Sequence, residues 1–290
     1  MQSRAYQKSY FSFFSTYDNH ITTDPKQMVI PIDDHGFHRG DGVFEACKWM
    51  GKKIWLLEAH LARLEKSCEK IKISLPLSLA ETKNKIEEVV AVSGMSHGLI
   101  RVFVTRGPGS FGISPYESTA SQMYIITTEL KEWPLEKVRH GVSIRKSDVT
   151  PKRGLFAQVK SLNYLPNVLM KKEAIDTGFD FSFGMGEHGE VLESSTENLS
   201  FIKGNQIVSP LFDSTLRGTS LMRMTELIPK DSGMQWQQLN FTYEDLLQAD
   251  EVFLVGTTID VLPVTRIGDQ AKTEIQKTLW LRHLVQLDQK

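Results

Sequence analysis

Apolar residues recur with two different periods along this chain, and each period predicts a class of element. In residues 58–71, Leu61, Leu64, Cys68 and Ile71 return at helical spacing, which predicts an amphipathic helix with one buried stripe. Residues 79–92 predict a second helix, and Gly94, just past Ser93, supplies its stop. The run LIRVFVTRG alternates with period two, so Leu99, Arg101, Phe103 and Thr105 fall on one face of a strand and Ile100, Val102 and Val104 on the other. One face therefore carries a charge. Earlier come MVIPI, the glycine-rich turn HRGDG, and VFEACKWM with KIWLLE, which read as a β-hairpin around a tight Gly-Lys connection.

After the strand MYIITTEL, the polar, proline-containing stretch KEWPLEKVRH reads as a linker. The expected organisation is an N-terminal domain over residues 1–128, a linker at 129–139 and a C-terminal domain over 140–290. The second half offers the strands VSIRKSDV, DFSFGM, EVLES, NLSFIKG, QIVSP and EVFLVG, with helices near 165–177, 219–228, 243–248 and 273–287. Strands outnumber helices there and connections are short, which predicts a mixed α/β fold with a mixed sheet or distorted barrel instead of a doubly wound one. No internal repeat or low-complexity tract is present.

Composition narrows the function classes. With 290 residues, 40% of them hydrophobic and 24% charged, the chain can bury a sizeable core, which excludes disorder as its main state. Lys and Arg number 34 against 35 Asp and Glu, so no net field draws the protein to nucleic acid or an anionic membrane. Cys47 and Cys68 are too few for a disulfide framework or a closed zinc site and suit a reducing compartment. No stretch is apolar enough to span a membrane, and the first twenty residues lack the apolar core of a secretory leader, so a cytoplasmic protein is expected. His35 and His38 are three apart in a turn-like segment with no clear third ligand, so no metal is expected.

Several residues can carry chemistry, each with a plainer alternative. Lys160 ends an apolar segment just before a helix with Pro166 in its first turn. It is either an exposed strand-end residue or a partly desolvated amine able to attack a carbonyl. Glu193, in GEVLESSTENLSFIKG, either caps a turn or pairs with a protonated ring nitrogen. Arg63 falls off the buried stripe of its helix, as a solvated charge or a phosphate fork. Gly218, Thr219 and Ser220 open a helix with N–H groups and hydroxyls that suit either an N-cap or a phosphate, and Gly256, Thr257 and Thr258 make a second such turn.

In order along the chain, HRGDGVFEACKW, HLARLEKSCEKI, VKSLNYLPNVLMKKEA, GEVLESSTENLSFIKG, LRGTSLMRM and ADEVFLVGTTIDVLPV resemble the successive motifs of the class IV, or fold type IV, pyridoxal-phosphate-dependent aminotransferases, over residues 28–267. The resemblance implies a smaller N-terminal α/β domain, a larger C-terminal pseudo-barrel domain binding pyridoxal 5'-phosphate, and a homodimer. It implies that Lys160 is the Schiff-base lysine, that Tyr164 lies near the phenolic oxygen of the cofactor and that Glu193 keeps the pyridine nitrogen protonated. Arg63, Thr219, Ser220 and Thr257 match the phosphate cup. These residue types suit the chemistry: an electron sink needs a protonated ring with a carboxylate partner, a dianionic phosphate needs an arginine and N–H donors, and amine exchange needs one lysine.

The implied reaction moves an amino group from an amino acid to a 2-oxo acid in two stages, with Lys160 as general base and acid. Where known D-amino-acid transaminases trap the substrate carboxylate with a tyrosine and an Arg-x-His, this chain has Phe44, Phe111 and Ile113, and Leu99 stands where branched-chain aminotransferases have a tyrosine. Arg101 matches an arginine of the branched-chain group. The overall pattern looks most like the plant-type D-amino-acid transaminase and aminodeoxychorismate lyase group, through MVIPIDDHGFHRGDGVFE, GPGSF and VKSLNYLPNVL. The candidate carboxylate binders are then Arg101, Lys48, Arg39 and His38, with the Thr257–Thr258 turn as a further donor. Substrates of the D-alanine and D-glutamate type are favoured over branched-chain L-amino acids, and the alternative is a lyase releasing pyruvate from 4-amino-4-deoxychorismate.

Overall fold

The computed structural model describes residues 4–290, so the first three residues of the segment read above for a leader lie outside it. The chain forms two compact units, one of residues up to Lys131 together with Val159–Asn163, the other of Glu132–Gln158 and Tyr164–Lys290. The stretch KEWPLEKVRH, read as a linker, ends in a short helix over Leu135–His140. Among the described residues no helix is long and apolar enough to cross a membrane.

The first unit is built on a six-stranded antiparallel sheet. Its elements in chain order are β1 (Tyr10–Ser15), β2 (His20–Thr22), α1 (His35–Arg39), β3 (Gly42–Met50), β4 (Lys53–Ile54), α2 (Leu57–Lys70), α3 (Leu79–Ser93), β5 (His97–Thr105) and β6 (Gln122–Thr128). The sheet order is β2-β1-β6-β5-β3-β4. The two helices arise where the apolar spacing predicts them. Ser78 and Glu81 form a reciprocal capping box at the start of α3, and Gly94 ends it in the left-handed region at φ 66°. Both helices pack on one sheet face, where Val43, Cys47, Trp49, Ile100 and Val102 meet Leu61, Leu64, Cys68, Ile86 and Val89. Each fully buried aliphatic side chain there contributes about 2 kcal/mol.

Strand pairing fixes what the opposite face shows. β3 pairs β5 from Gly42–Thr105 to Met50–His97, and β5 pairs β6 from Leu99–Thr128 to Thr105–Gln122. Alternation therefore places Phe44, Lys48, Arg101, Phe103 and Thr128 together on the face away from the helices.

Residues 159–163 join this unit, although the expected boundaries put them in the C-terminal domain. The reason is a hydrogen-bonding demand. β4 pairs only with Trp49 and Met50, so the start of the same β3 edge takes up the later segment instead. Phe44 N donates to Lys160 O (2.9 Å), Leu162 N to Gly42 O (2.9 Å) and Asn163 Nδ2 to Gly40 O (3.1 Å), while Val159 enters the core.

The second unit contains α4 (Leu135–His140), β7 (Val142–Lys146), α5 (Leu165–Asp176), β8 (Phe181–Met185), β9 (Val191–Ser194), β10 (Asn198–Lys203), β11 (Gln206–Ser209), α6 (Thr219–Glu226), β12 (Gln235–Gln238), α7 (Tyr243–Leu247), β13 (Glu251–Gly256), β14 (Asp260–Ile267), β15 (Gln270–Ala271) and α8 (Gln276–Gln289). Its mixed sheet runs β12-β11-β10-β13-β14-β7-β8-β9, with β15 on β14. A tight turn closed by Ser194 N and Glu197 O (2.9 Å) links β9, at the end of that path, to β10, third from the other end, so the sheet curls back on itself. Strands β12, β14 and the two-residue β15 are absent from the sequence reading. In β14, Pro263 lowers the strand signal, yet the strand stands at the sheet's centre because its ladder to β7 begins one residue later, at Val264.

Candidate active site

In the first unit, the strand β3 organises the chemistry through its alternation. Phe44 points to one face, and its amide holds the Lys160 carbonyl; the half-buried Lys160 places Nζ 4.7 Å from the Phe44 ring centre. The next residue, Glu45, points into the helix-covered face, where its carboxylate accepts hydrogen bonds from Arg63 Nε (2.7 Å) and Nη2 (2.8 Å) and pairs with His60 Nδ1 (2.7 Å). Glu45 is 1% exposed. Burial alone would raise its proton affinity, but the charge and hydrogen bonds of Arg63, with those of His60, outweigh it and hold the carboxyl well below the usual range. Burial lowers the His60 imidazole despite the carboxylate beside it.

Of the expected carboxylate binders, Arg101 and Lys48 share the outer sheet face as diagonal neighbours, since Ala46 pairs with Arg101 and Lys48 with Leu99. Arg101 Nη1 donates to Thr128 Oγ1 (3.3 Å), and the buried Lys48 lies 5.1 Å from the Trp55 ring centre. On the same face, the buried Asp34 carboxylate accepts hydrogen bonds from Thr105 Oγ1 (2.9 Å) and Tyr124 Oη (2.6 Å).

Arg39 and His38 sit on α1, a short helix capped by Asp34, where the sequence suggested a turn. The Arg39 guanidinium donates to the carbonyls of His38 (3.1 Å), Gly112 (3.2 Å) and Phe111, tying the 111–112 loop to α1. The His38 ring lies 5.1 Å from that of Phe111. Among the described residues no group of three or more His, Cys, Asp or Glu side chains could hold a metal ion.

The second unit gathers the remaining candidates. Glu193, near the end of β9, accepts a hydrogen bond from Leu216 N (3.0 Å), while Asn198 Nδ2 donates to Leu216 O (2.8 Å). One residue's backbone is thus held from both sides. It leads through Gly218 into α6, whose first residues Thr219 and Ser220 are buried, with Ser220 Oγ 3.4 Å from Thr257 Oγ1 in the turn after β13. Thr258 is exposed in the same turn. Tyr164 immediately precedes α5, and Lys152 Nζ lies 5.2 Å from its ring centre. Burial pushes the Lys152 ammonium below its ordinary value, and the Glu193 carboxylate partly offsets this.

Three participants escaped the sequence reading: Glu45, His60 and Lys152. Glu45 does carry a signal, being an acid in register with Val43, Cys47 and Trp49 on an apolar strand face, and His60 stands one helical turn before Arg63.

Comparison with known proteins follows the same pattern. The family model "Amino-transferase class IV" matches residues 42–267. The chain is 33% identical over 285 residues to a chloroplastic D-amino-acid transaminase of Arabidopsis thaliana, covering 94% of this chain and 75% of that one. Among solved structures it is similar to a branched-chain amino acid aminotransferase from T.th. with pyridoxamine 5'-phosphate, at a TM-score of 0.87 and 25% identity over 96% of this chain and 93% of that one. It is also similar to 4-amino-4-deoxychorismate lyase from Pseudomonas aeruginosa, at a TM-score of 0.80 and 25% identity over 90% of this chain and 95% of the other.

Proposed function

The chain belongs to the class IV aminotransferase family, and from that premise we propose that it is a pyridoxal 5'-phosphate-dependent transaminase acting between an amino acid and a 2-oxo acid, with D-alanine and D-glutamate types favoured over branched-chain L-amino acids. The observation that carries the reading is the setting of Lys160, a half-buried lysine whose backbone is locked to β3 and whose amine stands over the Phe44 ring.

The residues present fit the cofactor. Arg63 in the first unit, and in the second the hydroxyls of Thr219, Ser220 and Thr257 with the N–H groups opening α6, each offer the donor types a phosphate dianion needs. Asn167 Oδ1 and Ser194 Oγ beside Glu193 are buried with no hydrogen-bond partner among the described residues, in a cavity of about 10 Å³ that has room for a single water. When bound, pyridoxal 5'-phosphate supplies an electron-accepting ring that stabilises negative charge at the substrate Cα. Glu193, fixed by Leu216 N–H, would hold a proton at the ring nitrogen, and Tyr164 would hydrogen-bond the phenolic oxygen. Lys160 Nζ takes the Cα proton as general base and returns it as general acid.

Arg101 and Lys48 are assigned to the substrate carboxylate. Their shared face brings two cationic side chains together as diagonal neighbours, which suits an anionic substrate. Arg39 and His38 act beside them by holding the 111–112 loop in place, and Thr258 adds a turn donor. The two buried free thiols, Cys47 and Cys68, agree with a reducing, cytoplasmic setting. Exposed Ile32, Phe37, Phe111, Ile113 and Tyr116 on the first unit favour a homodimer.

The test is a panel of single amino donors, D-alanine, D-glutamate, L-leucine and L-glutamate, given to the cofactor-loaded protein while the matching 2-oxo acid is measured. Oxo acid from the D-donors is expected. Product from L-leucine or L-glutamate alone moves the assignment to the branched-chain type. The likeness to the lyase structure favours the second reading, 4-amino-4-deoxychorismate cleavage to 4-aminobenzoate and pyruvate. That reading requires many turnovers of this substrate with no product from any amino donor.

A further inference from the structure

We propose that Glu45 and His60 are positioning residues that fix the guanidinium of Arg63 so that it selects a phosphorylated ligand, an inference that rests on the cofactor reading above. Two side chains of α2, His60 and Arg63, converge on one carboxylate from β3, and all three lie in the first unit. The exposures of the His60, Arg63 and Glu45 side chains are 0%, 14% and 1%.

The geometry specifies a direction. Glu45 grips Arg63 side-on through Nε–H and one Nη2–H, and this grip orients the end-on edge formed by Nη1 and Nη2. That edge has the planar two-donor geometry that a phosphate accepts. A free arginine carries large rotamer entropy, and a side chain already locked by a buried bidentate pair loses less on meeting its anion. His60 completes the arrangement by donating its Nδ1–H to the Glu45 oxygen that also receives Arg63 Nη2–H, which holds the carboxylate in the plane of the guanidinium. The same neighbourhood includes Lys160, whose charge is felt by both His60 and Cys47. Strand β3 thus sets the amine through Phe44 and the phosphate fork through Glu45, with consecutive residues.

A carboxylate beside a phosphate site also repels the phosphate. Positioning and repulsion therefore push affinity in opposite directions, and the sign of the effect distinguishes them. The experiment measures dissociation constants of purified wild-type, E45Q and R63Q protein for pyridoxal 5'-phosphate and for unphosphorylated pyridoxal, by tryptophan fluorescence and equilibrium dialysis. The wild type is expected to prefer the phosphorylated form strongly, and E45Q to lose about tenfold of that preference while its pyridoxal affinity is unchanged. In R63Q, adding E45Q is expected to change the preference no further. A preference in E45Q equal to or greater than that of the wild type overturns the proposal. If E45Q does not fold, H60Q keeps the ion pair and is expected to lose about threefold of the preference, with an unchanged preference again overturning it. A wild-type protein that binds neither compound refutes the cofactor reading itself, a result distinct from either of these.

Discussion

Gly218 offers a sharp test of how Glu193 is held. An alanine Cβ at this position would stand 1.8 Å from Asn198 Oδ1 and 3.0 Å from Asn198 Cγ. The backbone itself accepts alanine, since φ is −67° and ψ 128°. The clash is therefore entirely with the side chain of Asn198, which is 8% exposed and held by its bond to Leu216 O. Moving it breaks the Asn198 Nδ2 to Leu216 O bond and strands a buried amide and carbonyl. The lost hydrogen bond costs about 1 kcal/mol and the unsatisfied groups about 1 to 3 kcal/mol more, offset by roughly 0.5 kcal/mol from the stiffer unfolded chain. G218A should thus lose about 1.5 to 3.5 kcal/mol in urea unfolding, and its kcat/KM should fall further than stability explains, because Leu216 N–H is the anchor of Glu193. N198A removes the obstacle, so the N198A/G218A double variant should be little less stable than N198A alone. A G218A protein within about 0.5 kcal/mol of wild type, or strictly additive effects in the cycle, would refute this account of the loop.

The other expectations are these. The Glu45 carboxyl titrates below its usual value near 4.5, so the folded state binds fewer protons than the unfolded state. Its contribution to stability is present above that pH and declines as pH falls below it; the wild-type unfolding midpoint should drop more steeply than that of E45Q between about pH 5 and 3, and parallel curves would contradict this. R101M and K48M should each raise KM for the amino donor about tenfold with a smaller change in kcat, as steady-state kinetics will show, and unchanged KM values in both would remove them from the substrate site. Glu251 accepts hydrogen bonds from Lys277 N (2.9 Å) and Thr278 N (2.7 Å) at the start of α8. E251A should therefore lower unfolding stability by roughly 2 kcal/mol, and a change below about 0.5 kcal/mol would show that α8 does not depend on this contact.

Local signals in the sequence carried much of this architecture. The stripe of Leu61, Leu64 and Cys68 and the alternation of residues 99–105 predict α2 and β5 with their buried faces, because period and burial are linked by geometry alone. Strand β14 escaped because a central proline suppresses strand reading, and only its neighbours' register shows that the ladder to β7 starts beyond it. Residues 159–163 group with the first unit for a reason no local pattern reveals, since β4 leaves part of the β3 edge open. Lys160, Glu193 and the hydroxyl turns stood out only through the ordered motifs around them. Glu45 and Lys152 were missed for a further reason, since an ionisable group acquires meaning from what folding places beside it.

The central claim is that Lys160 is the amine at which the cofactor and substrate meet. The most direct measurement is to incubate the purified protein with pyridoxal 5'-phosphate, fix the adduct with borohydride and map the modified lysine by peptide mass spectrometry, alongside K160A. The phosphopyridoxyl group should be found on the Lys160 peptide, and K160A should be unlabelled and lose at least about a hundredfold in transamination rate. Labelling of Lys152 or another lysine in the wild type, or undiminished turnover by K160A, would contradict the account.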